Sequence, residues 1–115
     1  MTTMLRRKDW KVATARQALT PTQIIGGLAS LQGWSLTGSD EHLVIEKTYH
    51  FANYFETTAF VNAVAFIAHV ADHHPDLLVQ YNRCVVKFNT HDVKGISQTD
   101  LDCAARIDAM LAGQG

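Results

Sequence analysis

Residues 69–75 read H-V-A-D-H-H-P, placing His69, His73 and His74 within seven positions of one another. Imidazole is the side chain whose ordinary pKa lies near neutrality, so such a group can donate protons, accept them or bind a metal. His69 and His73 stand four apart and share a face if one helix carries both. Pro75 is expected to end that helix, because a proline pushes the residue before it toward extended geometry. His74 then swings off the helical path, and two adjacent imidazoles can approach one ligand. Another histidine, His91, closes the strand-like run "CVVKFNTH". Alternation places it with Lys87 and Asn89 on the more polar side, at an element end where sites gather.

Three chemistries fit these residues. His73 and His74 could be a polar helix cap, since a cation near a helix C-terminus is mildly favourable. They could ligate a metal, because His-x3-His on a helix is real ligand spacing. The partners that strengthen that reading are missing: Glu does not follow His69 as in H-E-x-x-H, and the cysteines are not paired. The third chemistry is general acid–base catalysis, for which histidine is well matched. Spacing alone leaves metal binding and proton transfer level.

The elements that must position these residues are legible from periodicity and caps. "TPTQIIGGLASL" opens a helix with Thr20 as N-cap, Pro21 at the first position and Gln23 completing a capping box; Gly33 is expected to end it. "WSLTGSDEHLVIEKTYHF" reads as a hairpin around "TGSDE". A long helix follows, capped by Asn53 or Thr57, with Phe60, Val64, Ile67 and Ala71 at helical spacing. "LLVQY" and "CVVKFNT" form a second hairpin, turning near Asn82. The last helix starts at the Ser97–Asp100 cap and runs Leu101, Ala104, Ile107 and Leu111 along one face. The order α-β-β-α-β-β-α predicts an α+β domain, a four-stranded antiparallel sheet with three helices packed on one face. Residues 1–19 read as a loose N-terminal arm and 20–115 as a single domain. The middle helix, "AFVNAVAFIAHVA", is apolar nearly all round and needs a partner beyond its own sheet; a second subunit is expected.

Composition narrows the classes. The 115 residues are 47% apolar and 18% charged, with a net charge of −1. That describes one globular core with no field to draw nucleic acid or an anionic membrane. "LRRKDWK" is too short a basic run to change this and reads as a solvated turn of helix. No apolar run approaches membrane-spanning length and residues 1–20 lack a signal-peptide core, so a cytoplasmic protein is expected. Cys84 and Cys103 are then reduced, buried and inert. His42 and His50 read as solvent-facing, Tyr81 as packing, Gly95 as turn geometry, and Trp34 as apolar burial; Trp10 sits on the arm.

From His69 onward the chain resembles the pterin-4a-carbinolamine dehydratase family. The family pattern is a polar residue, three residues, H-H-P, an aromatic six past the proline, a histidine ten further on, and then an aspartate. Here these are His69, His73-His74-Pro75, Tyr81, His91 and Asp100. The phrase "THDVKGISQTD" is similar to the family's T-H-x-x-x-G-[LI]-S-x-x-D, and the likeness extends over about residues 20–112. Two positions depart: His69 stands where many members carry glutamate, and Leu77 where an aromatic is frequent.

The resemblance implies dehydration of a 4a-hydroxytetrahydropterin to a quinonoid dihydropterin, recycling the reduced pterin of aromatic amino acid hydroxylases. It implies His73 and His91 as proton carriers on opposite faces of a flat ring, with His74 orienting the pterin or sharing the transfer. His69, Asp72, Leu77, Thr90 and Asp100 are the expected substrate-binding set, Asp100 serving first as a helix cap. Neither metal nor redox cofactor is implied. The pterin is the expected small-molecule partner, with a homo-oligomer (tetramer or dimer) and a hydroxylase in the same pathway. Proteins resembling this family also act as transcription-factor partners, so an interaction module is the alternative. Three histidines at these spacings would serve no purpose in such a module.

Overall fold

The computed structural model describes residues 16–113. Trp10, the "LRRKDWK" run and most of the N-terminal arm lie outside the described residues. Seven main elements follow in the expected order: α1 (Pro21–Leu28), β1 (Ser35–Thr37), β2 (Val44–His50), α2 (Tyr54–Ala71), β3 (Asp76–Val79), β4 (Arg83–Phe88) and α3 (Gln98–Ala112). Short 3-10 turns occupy Asp40–His42 and His91–Val93. The strands pair antiparallel in the order β1-β2-β4-β3.

Register explains why one face is covered. Ile45 faces Phe88, Lys47 faces Val86 and Tyr49 faces Cys84 across β2 and β4, while Leu36 and Leu77 extend the same side. The alternate set is Glu46 with Lys87 and His50 with Arg83, a polar surface. Period-two alternation thus gathers most of the apolar residues on one side, Val85 and Leu78 falling on the other. There they meet Ile24 of α1, Phe60, Val64 and Ala71 of α2, and Leu101, Ala104 and Ile107 of α3 in one core. At the core's margin Asp108 of α3 accepts from Trp34 Nε1 (3.0 Å), Lys47 Nζ (3.1 Å) and Tyr49 Oη (2.6 Å), tying α3 to β2 and to the entry of β1. Trp34 is buried as expected, with its indole N–H satisfied.

Caps formed where the sequence placed them. Thr20 Oγ1 accepts from the Gln23 amide at 3.2 Å and Gln23 Oε1 from the Thr20 amide at 2.8 Å. Asn53 Oδ1 accepts from the Glu56 amide at 2.9 Å, so Asn53 is the cap of α2. Thr57 lies inside the helix, buried, donating to the Asn53 or Tyr81 carbonyl.

Several expectations need correction. α1 stops at Leu28, well before Gly33; Leu31 and Trp34 amides then bond three residues back, and Gly33 supplies the positive φ of 87° entering β1. α2 stops at Ala71, four residues short of Pro75. Asp72 adopts the left-handed conformation (φ 52°, ψ 47°), its amide reaches the His69 carbonyl at 3.1 Å and the His73 amide reaches Ala68 at 3.0 Å. This is a Schellman stop with aspartate in the position glycine usually takes. β4 ends at Phe88, so His91 opens the following 3-10 turn and lies outside the strand. In that turn Lys94, at φ 53°, is the left-handed residue, and Gly95 pairs with Thr90 as an isolated bridge. Tyr81 is 64% exposed and stacks on Tyr54.

α2 has 18 residues and is apolar enough, by length and composition, to cross a membrane, beyond what its sequence led us to expect. Its Thr57, Phe60, Val64, Ala68 and Ala71 stripe is buried, as in a core helix. The other side leaves Tyr54, Phe55 and Phe66 exposed, Phe55 at 80%.

Candidate functional site

The chain reversal at Asp72 and the 3-10 turn at His91 bring two loops together beside the start of α3. Between them lies a cleft of about 210 Å³, lined by His73, His74 and His91 together with Arg16, Asp72, Asn89, Thr90 and Asp92. Two larger clefts lie elsewhere, one between α1 and α3 and an apolar one between α2 and α3, and neither is lined by a histidine. The volume is below the roughly 300–1,000 Å³ usual for drug-sized ligands.

His73 is the buried member of the three. Its ring lies nearly parallel to Phe88, with centroids 5.8 Å apart, and its Nε2 pairs with Asp100 Oδ1. Asp100 is fully buried, and its other oxygen accepts from Thr90 Oγ1 at 2.7 Å and from the Ser97 amide at 2.9 Å. Thr90 has one hydroxyl proton and gives it to Asp100, so the 2.6 Å contact between Thr90 and Ser97 hydroxyls runs from Ser97 to Thr90. A carboxylate held by three donors fixes the His73 ring and its tautomer, leaving Nδ1 as the second proton site. His74 and His91 are exposed at the cleft, free to meet a ligand from solvent.

The expected site residues therefore divide. His73, His74, His91, Asp72 and Thr90 line the cleft. Asp100 acts from behind, as the acceptor for His73 as well as the capping-box partner of Ser97 at the start of α3. His69 and Leu77 do not line it. His73 lies outside the helix, so the expected shared face with His69 is lost; His69 Nε2 is buried without a hydrogen-bond partner among the described residues. Leu77 packs inward against the core. Sequence reading missed Arg16, whose guanidinium donates to the Ala71 and Asp72 carbonyls and to Thr99 Oγ1. It also missed Asn89 and Asp92 as cleft residues.

The metal reading finds no support in the donor geometry: among the described residues no three His, Cys, Asp or Glu side chains converge on one point. The thiols are structural. Burial pushes Cys103 up to about 12 and raises Cys84, and both are buried and free. His42 and His50 are exposed, as expected.

A buried carboxylate–imidazole pair opening on a cleft with two further imidazoles is equipped for proton transfer to and from a small ring. Comparison with known proteins bears on the family. A family model described as pterin 4 alpha carbinolamine dehydratase matches residues 17–110. A relative from Paracidovorax citrulli, provisionally named pterin-4-alpha-carbinolamine dehydratase, is 67% identical over 95% of this chain and 93% of its own. One from Bdellovibrio bacteriovorus with the same provisional name is 53% identical over 98% and 92%. Among solved structures, a transcriptional coactivator/pterin dehydratase from Brucella melitensis superposes with a TM-score of 0.75 at 28% identity, covering 81% of this chain and 97% of that one. Fold and sequence agree, and the chain belongs to the pterin 4 alpha carbinolamine dehydratase family.

Proposed function

We propose that this protein dehydrates 4a-hydroxytetrahydropterins to quinonoid dihydropterins by histidine acid–base catalysis. The observation that carries the reading is the meeting of His73, His74 and His91 in one cleft, with His73 backed by buried Asp100. In the reaction the C4a–O bond breaks, the N5–H proton leaves and an N5=C4a double bond forms, releasing water. Hydroxide is a poor leaving group, so an imidazolium must protonate the departing oxygen while a neutral imidazole takes the N5 proton. The ring nitrogen's lone pair supplies the push, so metal and redox cofactor have no step to perform. His73 and His91 are the two carriers; exposed His74 orients the ring or shares the transfer. In the cell the reaction would recycle the pterin of an aromatic amino acid hydroxylase in the cytoplasm.

The test is stopped-flow kinetics with 4a-hydroxytetrahydropterin generated in situ. Wild-type protein should accelerate dehydration and keep its rate in chelator. His73→Ala and His91→Ala should each lose about 10²-fold or more in kcat, with a double variant showing less than the summed loss. A wild-type rate equal to the uncatalysed background would overturn the reading. The Brucella relative's name also includes transcriptional coactivator, and a pure interaction role would leave these variants without effect.

A further inference from the structure

Arg16 precedes the first helix, yet its guanidinium reaches two of the segments that build the histidine cleft. One Nη donates to the carbonyls of Ala71 at 2.7 Å and Asp72 at 2.8 Å, and Nε donates to Thr99 Oγ1 at 3.2 Å. The chain positions of these partners are informative. Asp72 immediately precedes His73, and Thr99 immediately precedes Asp100. One planar group thus joins the residues next to both members of the His73–Asp100 pair. The Ala71 and Asp72 carbonyls belong to a helix end, where backbone acceptors otherwise lack intrahelical donors. Lysine could not replace this arrangement, because its single ammonium does not present donors in a fixed fork.

We propose that Arg16 is a positioning residue, a brace that holds His73 and Asp100 in bonding register and thereby sets turnover in the cleft. For its kinetic consequence the brace rests on the dehydratase reading; for its structural consequence it stands alone. Arg16 grips backbone carbonyls and a hydroxyl, so its loss acts on the alignment of His73 and on kcat more than on KM.

The experiment compares full-length wild type with Arg16→Ala and Arg16→Lys by two readouts. By nitrogen-15 NMR, the His73 Nε2 proton, shielded and bonded to Asp100, should exchange slowly in wild type and about tenfold faster in Arg16→Ala, with the circular dichroism spectrum unchanged. By stopped flow, kcat should fall about tenfold, the usual scale for a residue that orients another, with KM within about twofold. Arg16→Lys should fail to restore the rate, and millimolar guanidinium should partly restore it in Arg16→Ala. If Arg16→Ala does not fold, Arg16→Gln carries the same readings. Wild type inert toward the pterin would overturn the dehydratase reading alone. An unchanged His73 proton, or a rate loss that follows only the folded fraction and ignores guanidinium, would overturn the brace.

Discussion

Asp100 shows how a residue read as a helix cap can hold a second role. Its carboxylate accepts hydrogen bonds from the Ser97 amide, the Thr90 hydroxyl and His73 Nε2. Asp100→Asn exchanges one acceptor oxygen for a donor and sets an N–H against a donor already in place. That mismatch in a fully buried site should lower stability by about 1–3 kcal/mol, and kcat by about 10-fold or more as the His73 tautomer is released. His69→Ala should leave kcat nearly unchanged, since His69 lies off the cleft. Urea titration and stopped-flow rates on both variants check this; a His69→Ala loss matching that of His73→Ala would contradict the assignment. A second residue-scale prediction concerns Cys103. Burial, against the opposing charge of Arg106, moves its thiol from an ordinary 9.0 to about 12 in the folded protein. A raised folded pKa means the folded state keeps its proton after the unfolded chain has lost it. The associated stability is complete below pH 9, declines above it by up to about 1.4 kcal/mol per pH unit, and is gone once the folded thiol ionises. Urea midpoints at pH 8 and pH 10.5 should therefore differ more in wild type than in Cys103→Ala. Tyr49, raised by burial and by its bond to Asp108, adds a loss in the same direction.

The elements were legible where a local rule decided them. Capping residues Thr20, Asn53 and Ser97 sit beside the helices they start, and alternation in β4 separates Cys84, Val86 and Phe88 from Arg83, Val85 and Lys87. The end of α2 was not legible. Proline forbids a helix from continuing but does not say how much earlier it stops, and aspartate visits the left-handed region too rarely to announce it. That single turn removed His73 from the helix and undid its expected pairing with His69. Bonds from His73 to Asp100 and from Arg16 to Thr99 cross long stretches of chain, and no local pattern encodes them. The stop itself is testable. Asp72→Asn keeps a side chain that tolerates positive φ and should cost less than a β-branched replacement. Asp72→Val puts a β-branched residue there and should cost about 2 kcal/mol, read from urea unfolding, with a matching loss of rate. Equal stability of the two variants would show that the turn does not constrain the cleft.

For the whole molecule, the exposed side of α2 sets the main expectation. Phe55, Phe66 and Tyr54 share a helix that the described residues bury only along one stripe. We propose that a second copy of the chain covers this side, in a dimer or tetramer. Light scattering at micromolar concentration should give a multiple of the chain mass, and Phe55→Glu should shift it toward monomer by placing a charge in the contact. Monomeric wild type would contradict the proposal. The His73–Asp100 bond carries a further consequence, for the order of events in folding. Its members are 27 residues apart, separated by the whole β3–β4 hairpin, and one follows α2 while the other lies in the first turn of α3. Each helix can form early from its own caps, but the His73–Asp100 pair exists only after the hairpin has closed and both helices have docked against it. Non-local contacts of this kind are the slow part of folding. During refolding, helical signal should therefore return before turnover does, and a chain arrested at that stage would be mostly helical yet catalytically silent.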